Sequence, residues 1–197
     1  MLLRAPLRRV PVAFAALLCA VALAGCVGGK GAVSTDSGTE RFTSGDGVAT
    51  WVKPGRREAG PDLSGTSLDK EPVALADLRR GPAVVNVWGS WCAPCKAEQP
   101  VLERAAKATR SRGVTFLGID VRDPSLVAAR AHVARYGVTY PSIYDPASRL
   151  LTRFEIPART IPTTYVYDRE GRIAAYVYGG VDEQTLTTLL DRVLAET

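Results

Sequence analysis

The chain has one histidine, His132, in 197 residues, and of its four cysteines two, Cys19 and Cys26, fall within the first 26 positions. Cys92 and Cys95 remain, and two thiols with one imidazole do not make a standard Cys/His zinc set, so neither a structural zinc site nor any other metal is expected. No apolar run reaches the roughly 20 residues of a permanent membrane-spanning helix. The longest, Val10 to Leu23, has about 14. A basic stripe with interleaved aromatics is also missing. Without residues 1–25, which hold Arg4, Arg8 and Arg9, the 25 basic side chains fall to 22 against 20 acidic ones, and the net charge drops from +5 to +2. Nucleic-acid binding is therefore not expected.

Three arginines, an apolar run, then the small residues Ala24 and Gly25 have the layout of a secretory signal, so residues 1–25 are expected to be removed on export. The sequence Leu23-Ala24-Gly25-Cys26 resembles a bacterial lipobox. That resemblance implies an acylated Cys26 at the start of the mature chain, anchored in the cell membrane with the domain on the extracytoplasmic side. The alternative is an ordinary signal peptide that leaves Cys26 as a loose thiol. From Val27 to about Pro61 the chain is rich in Gly, Ser, Thr, Asp and Arg, so residues 26–60 are expected to be a flexible tether. Trp51 and Val52 within it either dock on the domain or are stray. The domain proper is expected over residues 61–197.

The surviving pair, Cys92-Ala93-Pro94-Cys95, closes too small a loop for its bridge to restrict the unfolded chain much, which points to chemistry rather than bracing. It follows Ala83-Val84-Val85-Asn86-Val87-Trp88, a near-continuous apolar run typical of a strand buried on both faces. After it, Lys96 to Arg110 is a helix with Val101, Leu102, Ala105 and Ala106 as its stripe. The pair thus stands at a strand-to-helix junction. Unpaired N–H groups and the positive dipole end at a helix start favour a thiolate, which marks Cys92 as the attacking sulfur. Cys95, one turn on, is placed to resolve a mixed disulfide, and Pro94 suits the first turn.

Val114 to Asp120 reads as a second buried strand, and Asp123-Pro124 as the start of a helix ending near Gly137. Asp145-Pro146 repeats that start for a short helix through Phe154. Thr163–Tyr167 and Arg172–Tyr178 alternate as strands of an antiparallel hairpin, and Leu186, Leu189, Leu190, Val193 and Leu194 form a helical stripe behind the cap Asp182. The fold class is α/β: a central mixed sheet flanked by helices, with an N-terminal extension.

With Trp91-Cys92-Ala93-Pro94-Cys95 in this setting, the chain resembles thioredoxins, and more closely the membrane-tethered TlpA/ResA-like branch, over roughly residues 61–197. The resemblance implies a thioredoxin-like fold, a helix that continues through Pro100 with a kink, and a cis Pro162 opposite the cysteines. The backbone of Ile161 would then offer itself to a substrate strand. It also implies that Glu98 lies near the disulfide and tunes thiol acidity; the alternative is a solvated surface carboxylate. Thioredoxins proper have a buried Asp where this chain has Asn86, which cannot titrate, so Glu98 is the candidate for proton handling. His132 is expected to be a surface or half-buried helix residue outside the chemistry.

The resemblance implies an extracytoplasmic thiol-disulfide oxidoreductase with no cofactor beyond its own disulfide, and with no recognisable oligomer seam in the sequence a monomer is the default expectation. Its expected substrates are protein disulfides such as the haem-site cysteines of apocytochrome c, and a membrane partner is expected to relay electrons. Three alternatives stay open: an oxidant that forms disulfides in exported proteins, a redox-inactive binding module, and a peroxidase. The last is weakened by Gly89, where peroxiredoxins have a threonine three residues before their reactive cysteine.

Overall fold

A computed structural model describes residues 33–35 and 38–196, and its first strands lie where a tether was expected. These are β1 (Val33–Thr35), β2 (Thr39–Ser44) and β3 (Gly47–Val52). Beside them β10 (Ile173–Tyr178) pairs antiparallel with β3, placing Ala175 opposite Trp51 and Tyr178 opposite Val48. The tether reading is corrected for residues 39–52. Their composition is polar, yet β3 sends Ala49 and Trp51 into the core, and Val52 is buried as well. The guanidinium groups of Arg57 and Arg192 lie 5.0 and 4.2 Å from the Trp51 ring centre. The signal segment and Cys26 lie outside the described residues.

A short hairpin, β4 (Ser64–Thr66) with β5 (Pro72–Ala74), and a single helical turn, α1 (Leu75–Leu78), come next. Then β6 (Ala83–Trp88) appears where the apolar run lies, buried at every position. After it come α2 (Ala93–Thr109), β7 (Thr115–Val121), α3 (Leu126–Tyr136), β8 (Ser142–Asp145), β9 (Thr163–Tyr167) and, beyond β10, α4 (Glu183–Leu194). The strand order is β1-β2-β3-β10-β9-β6-β7-β8. Parallel pairing joins β6, β7 and β8, and the other neighbours are antiparallel, which is the mixed sheet of a thioredoxin-like fold.

Alternation along β6 shows why both faces are covered. Val84 joins Leu102 of α2 and Leu186, Leu189 and Leu190 of α4 on one face. Val85 and Val87 join Leu117, Ile119, Ile143 and Tyr165 on the other. At the C-terminal end of β6, Trp88 packs with Cys92, Cys95, Leu68 and Ala129, so the cysteines sit in a small apolar cluster of their own.

Two helix starts differ from expectation. Ser125, not Asp123, caps α3, its side chain accepting the Ala128 N–H at 3.2 Å. Asp123 is drawn instead to the loop before the cysteines. Asp145 does accept backbone N–H groups, from Arg149 and Leu150 at 2.9 and 2.8 Å, but the helix it starts is only a 3-10 turn, Leu150–Arg153. The residues just before it, Ser142–Asp145, form the edge strand β8, whose four residues are too few for a legible pattern.

Candidate active site

The strand β6 delivers the chain into a tight loop whose first residue has room for no side chain. A Cβ at Gly89 would fall 2.4 Å from Trp91 Nε1 and 3.0 Å from the Val121 carbonyl. Ser90 is held twice by Asp123, through its N–H at 2.7 Å and its hydroxyl at 2.5 Å. Trp91 donates from Nε1 to the Val121 carbonyl at 3.1 Å yet keeps 45% of its surface exposed, with Arg122 5.5 Å over the ring. The loop's closing bond runs from Cys92 N–H to the Gly89 carbonyl at 3.1 Å.

Cys92 occupies the N-cap of α2, and its sulfur accepts the Cys95 N–H at 3.1 Å. Cys92 and Cys95 form a disulfide with Cα atoms 5.3 Å apart. Of the two, Cys95 is fully enclosed while Cys92 keeps 4% exposure. Pro94 lies in the exposed first turn, and α2 continues through Pro100 to Thr109 instead of stopping there. Across from the pair, the Ile161–Pro162 peptide bond is cis, the isomer the resemblance implied, and the Ile161 carbonyl is 3.6 Å from Cys92 Sγ.

Glu98 is not the solvated carboxylate that stood as the alternative reading. It is 3% exposed, accepts from Asn86 Nδ2 at 2.8 Å on Oε1 and from the Val181 N–H at 3.0 Å on Oε2. Burial pushes its pKa up from 4.5 to about 8; the two hydrogen bonds oppose that rise and the charge of Asp46 adds to it. Asn86 also donates to Thr164 Oγ1 at 3.0 Å, and its own Oδ1 has no hydrogen-bond partner among the described residues.

His132 is corrected from a surface or half-buried position to a buried one. Its ring stacks on Trp88 at 4.6 Å and meets Gln99 Oε1 at 3.3 Å. Burial first, then the charge of Lys96, lowers its pKa to about 4, so the ring is neutral at pH 7. Two further residues were not read from the sequence as part of the site. Asp123 pins the loop; Asp120, in register with Trp88, is fully buried, and among the described residues no N–H or hydroxyl donor reaches its carboxyl oxygens, while the acid Asp123 lies beside it. Burial, then the neighbouring Asp123, pushes its pKa up to about 9. The only legible sign of Asp120 was an acid closing an otherwise apolar strand. Among the described residues no group of three or more His, Cys, Asp or Glu side chains is arranged to hold a metal.

A sulfur at a helix N-cap, less enclosed than the partner sulfur it is bonded to and faced by a cis proline, defines a thioredoxin-fold thiol-disulfide oxidoreductase. Residues 57–176 match the AhpC/TSA family, and the chain belongs to it. It is 30% identical to the thiol-disulfide oxidoreductase ResA of Bacillus subtilis over 114 residues, covering 58% of this chain and 62% of the relative. The crystal structure of a DsbF homologue from Corynebacterium diphtheriae is similar at 32% identity and a TM-score of 0.69, covering 83% of this chain and 99% of that one. A secreted thiol-disulfide isomerase from Corynebacterium glutamicum matches at 32% identity and a TM-score of 0.68, over 84% and 100% of the two chains.

Proposed function

We propose that the protein works outside the cytoplasm, lipid-anchored through Cys26, as a reductant of disulfides in exported proteins, the haem-site cysteines of apocytochrome c among them. The observation behind the chemistry is the placement of Cys92. It is the less enclosed sulfur, at a helix N-cap, 3.6 Å from the Ile161 carbonyl and beside the exposed Trp91. A substrate strand pairing with the backbone of Ile161 brings its own sulfur alongside Cys92.

In the reduced protein the Cys92 thiolate attacks a substrate disulfide. A mixed disulfide forms, and the departing substrate thiolate takes a proton. Cys95 then loses its proton and attacks Cys92, closing the disulfide seen here and releasing the second substrate sulfur, which is also protonated. Two electrons pass from the pair to the substrate; Cys95 gives up one proton, and solvent supplies the other, which balances the proton Cys92 released on becoming a thiolate. Glu98, three residues after Cys95 on α2 and with a pKa near physiological pH, is the group proposed to accept the Cys95 proton. A membrane dithiol donor restores the reduced pair.

Two findings support this reading: the ResA relative and the secreted Corynebacterium glutamicum neighbour. The second of these supports only the place outside the cytoplasm, because a thiol-disulfide isomerase favours a second reading of the chemistry, catalysis of disulfide formation or isomerisation in exported proteins. The redox midpoint separates them, read from the fluorescence of Trp88 and Trp91 in dithiol buffers. A value near about −270 mV or lower supports the reductant, and one approaching about −120 mV supports the oxidant. Loss of c-type cytochromes in cells without the protein is the expected physiological result; normal c-type cytochromes would remove that substrate while leaving the chemistry.

A further inference from the structure

The turn between β2 and β3 lies outside the family-matched segment, yet it is bonded to the backbone that holds Glu98. Asp46 Oδ1 accepts the Gly180 N–H at 2.9 Å. The Gly45 N–H donates to Asp182 Oδ2 at 2.7 Å, and the Asp182 N–H donates to Ser44 Oγ at 3.3 Å. These contacts bracket Val181, whose N–H donates to Glu98 Oε2. Packing makes the two segments one unit. A Cβ at Gly180 would fall 2.4 Å from Asp46 Oδ1, and one at Gly47 would fall 2.6 Å from the Tyr178 carbonyl.

We propose that Asp46 is a positioning residue for Glu98: through the loop Gly179–Asp182 it fixes the Val181 amide that Glu98 accepts from. This rests on the reading of Glu98 as the proton-handling group. The hairpin therefore acts on Glu98 in two opposed ways. The amide it steadies favours the carboxylate, while the anion it carries favours the acid.

Among the described residues, the other groups around Glu98 are neutral or are acids engaged by other partners. β6 presents the neutral Asn86, and β9 presents Thr164 behind it. Tyr140, from the segment between α3 and β8, is bonded to Gln99, and its hydroxyl is held neutral mainly by burial. On α2 itself Cys95 is uncharged while the disulfide is closed, and Glu103 is engaged by Thr139 and Lys107. At the head of α4, Asp182 accepts from Gly45 and Thr185, and Glu183 pairs with Arg104 at the surface. Burial is the main cause of the raised Glu98 pKa, and the charge of Asp46 adds a smaller push in the same direction.

The test is an amide NMR titration of the oxidised full chain between about pH 5 and pH 10, in which the cysteines do not titrate. The Val181 resonance is expected to report an inflection near pH 8. Asp46→Asn keeps the acceptor for Gly180 and removes the charge, so the inflection moves down. Ser44→Ala keeps the charge and loosens the latch, so the inflection moves up. An inflection that stays in place in both variants overturns the proposal. One that survives in Glu98→Gln overturns the reading of Glu98 itself. In the reduced protein, the pH profile of Cys92 alkylation should shift with Asp46→Asn in the native background and not in the Glu98→Gln background. Equal shifts in both would mean that Asp46 acts on the thiols directly, which also overturns the positioning role.

Discussion

Asn86 on β6 donates a 2.8 Å hydrogen bond to Glu98 on α2, so the strand and the helix that flank Cys92 and Cys95 are joined by one buried polar contact. The contact sets the charge logic of the site. An aspartate at position 86 would face a second acid, whereas the amide can donate to a carboxylate and leaves Glu98 as the titrating partner.

Replacing Glu98 with glutamine tests that logic through stability. Its folded pKa of about 8 lies above the ordinary 4.5, so the folded state holds the proton more tightly than the unfolded chain. The stabilisation is complete below the unfolded value and is lost as pH rises through about 8. Urea unfolding of the oxidised protein should show Glu98→Gln gaining on the native chain between acidic and alkaline buffer. A native profile that is flat over that range would contradict the buried acid.

Asp120 has the same sign and a wider window, its pKa rising from 3.8 to about 9. The native fold should weaken progressively as pH climbs toward that value, because a carboxylate that no donor reaches among the described residues is being charged inside the fold. Asp120→Asn should raise the melting temperature at alkaline pH and change it less in acid. A lower melting temperature for the variant at alkaline pH would show that the carboxylate is stabilised there.

Asp123→Ala leaves the Ser90 N–H and hydroxyl without their partner. The expected cost is about 1–3 kcal/mol in stability for the orphaned donors. Thiol exchange should slow by roughly tenfold or more as the Trp91 loop loses its geometry. Stopped-flow exchange followed by tryptophan fluorescence measures the rate, and an unchanged rate would show that the loop is held by Trp91 and Val121 alone.

The hairpin of residues 39–52 should be part of the folding unit. Trp51→Ala, which empties a core position, should cost about 3–5 kcal/mol by urea unfolding. A cost below about 1 kcal/mol would restore the tether reading for this stretch.

Much of the site was legible in the chain. Cys92, Cys95, Trp91 and Pro94 are consecutive or nearly so, and the apolar run before them and the helical stripe after them have periods that local chemistry imposes. The roles left open there depended on distant partners. Glu98 could be solvated or buried until Asn86, 12 positions away, and Val181, 83 positions away, were seen to bond it. Asp123 looked like a helix cap because cap and loop anchor share one side-chain chemistry, and only the nearness of Ser90 separates them.

By itself, then, the sequence determined the strand-to-helix junction, the dithiol and the mixed sheet of β6, β7, β9 and β10, since each arises from local periodicity and turn residues. Tertiary structure alone decided that residues 39–52 join that sheet, that His132 is buried, and that Asp46 meets the loop before α4. The physical reason is the same in each case: a polar, weakly patterned segment gains its place only from edges and cavities that other parts of the chain have already formed.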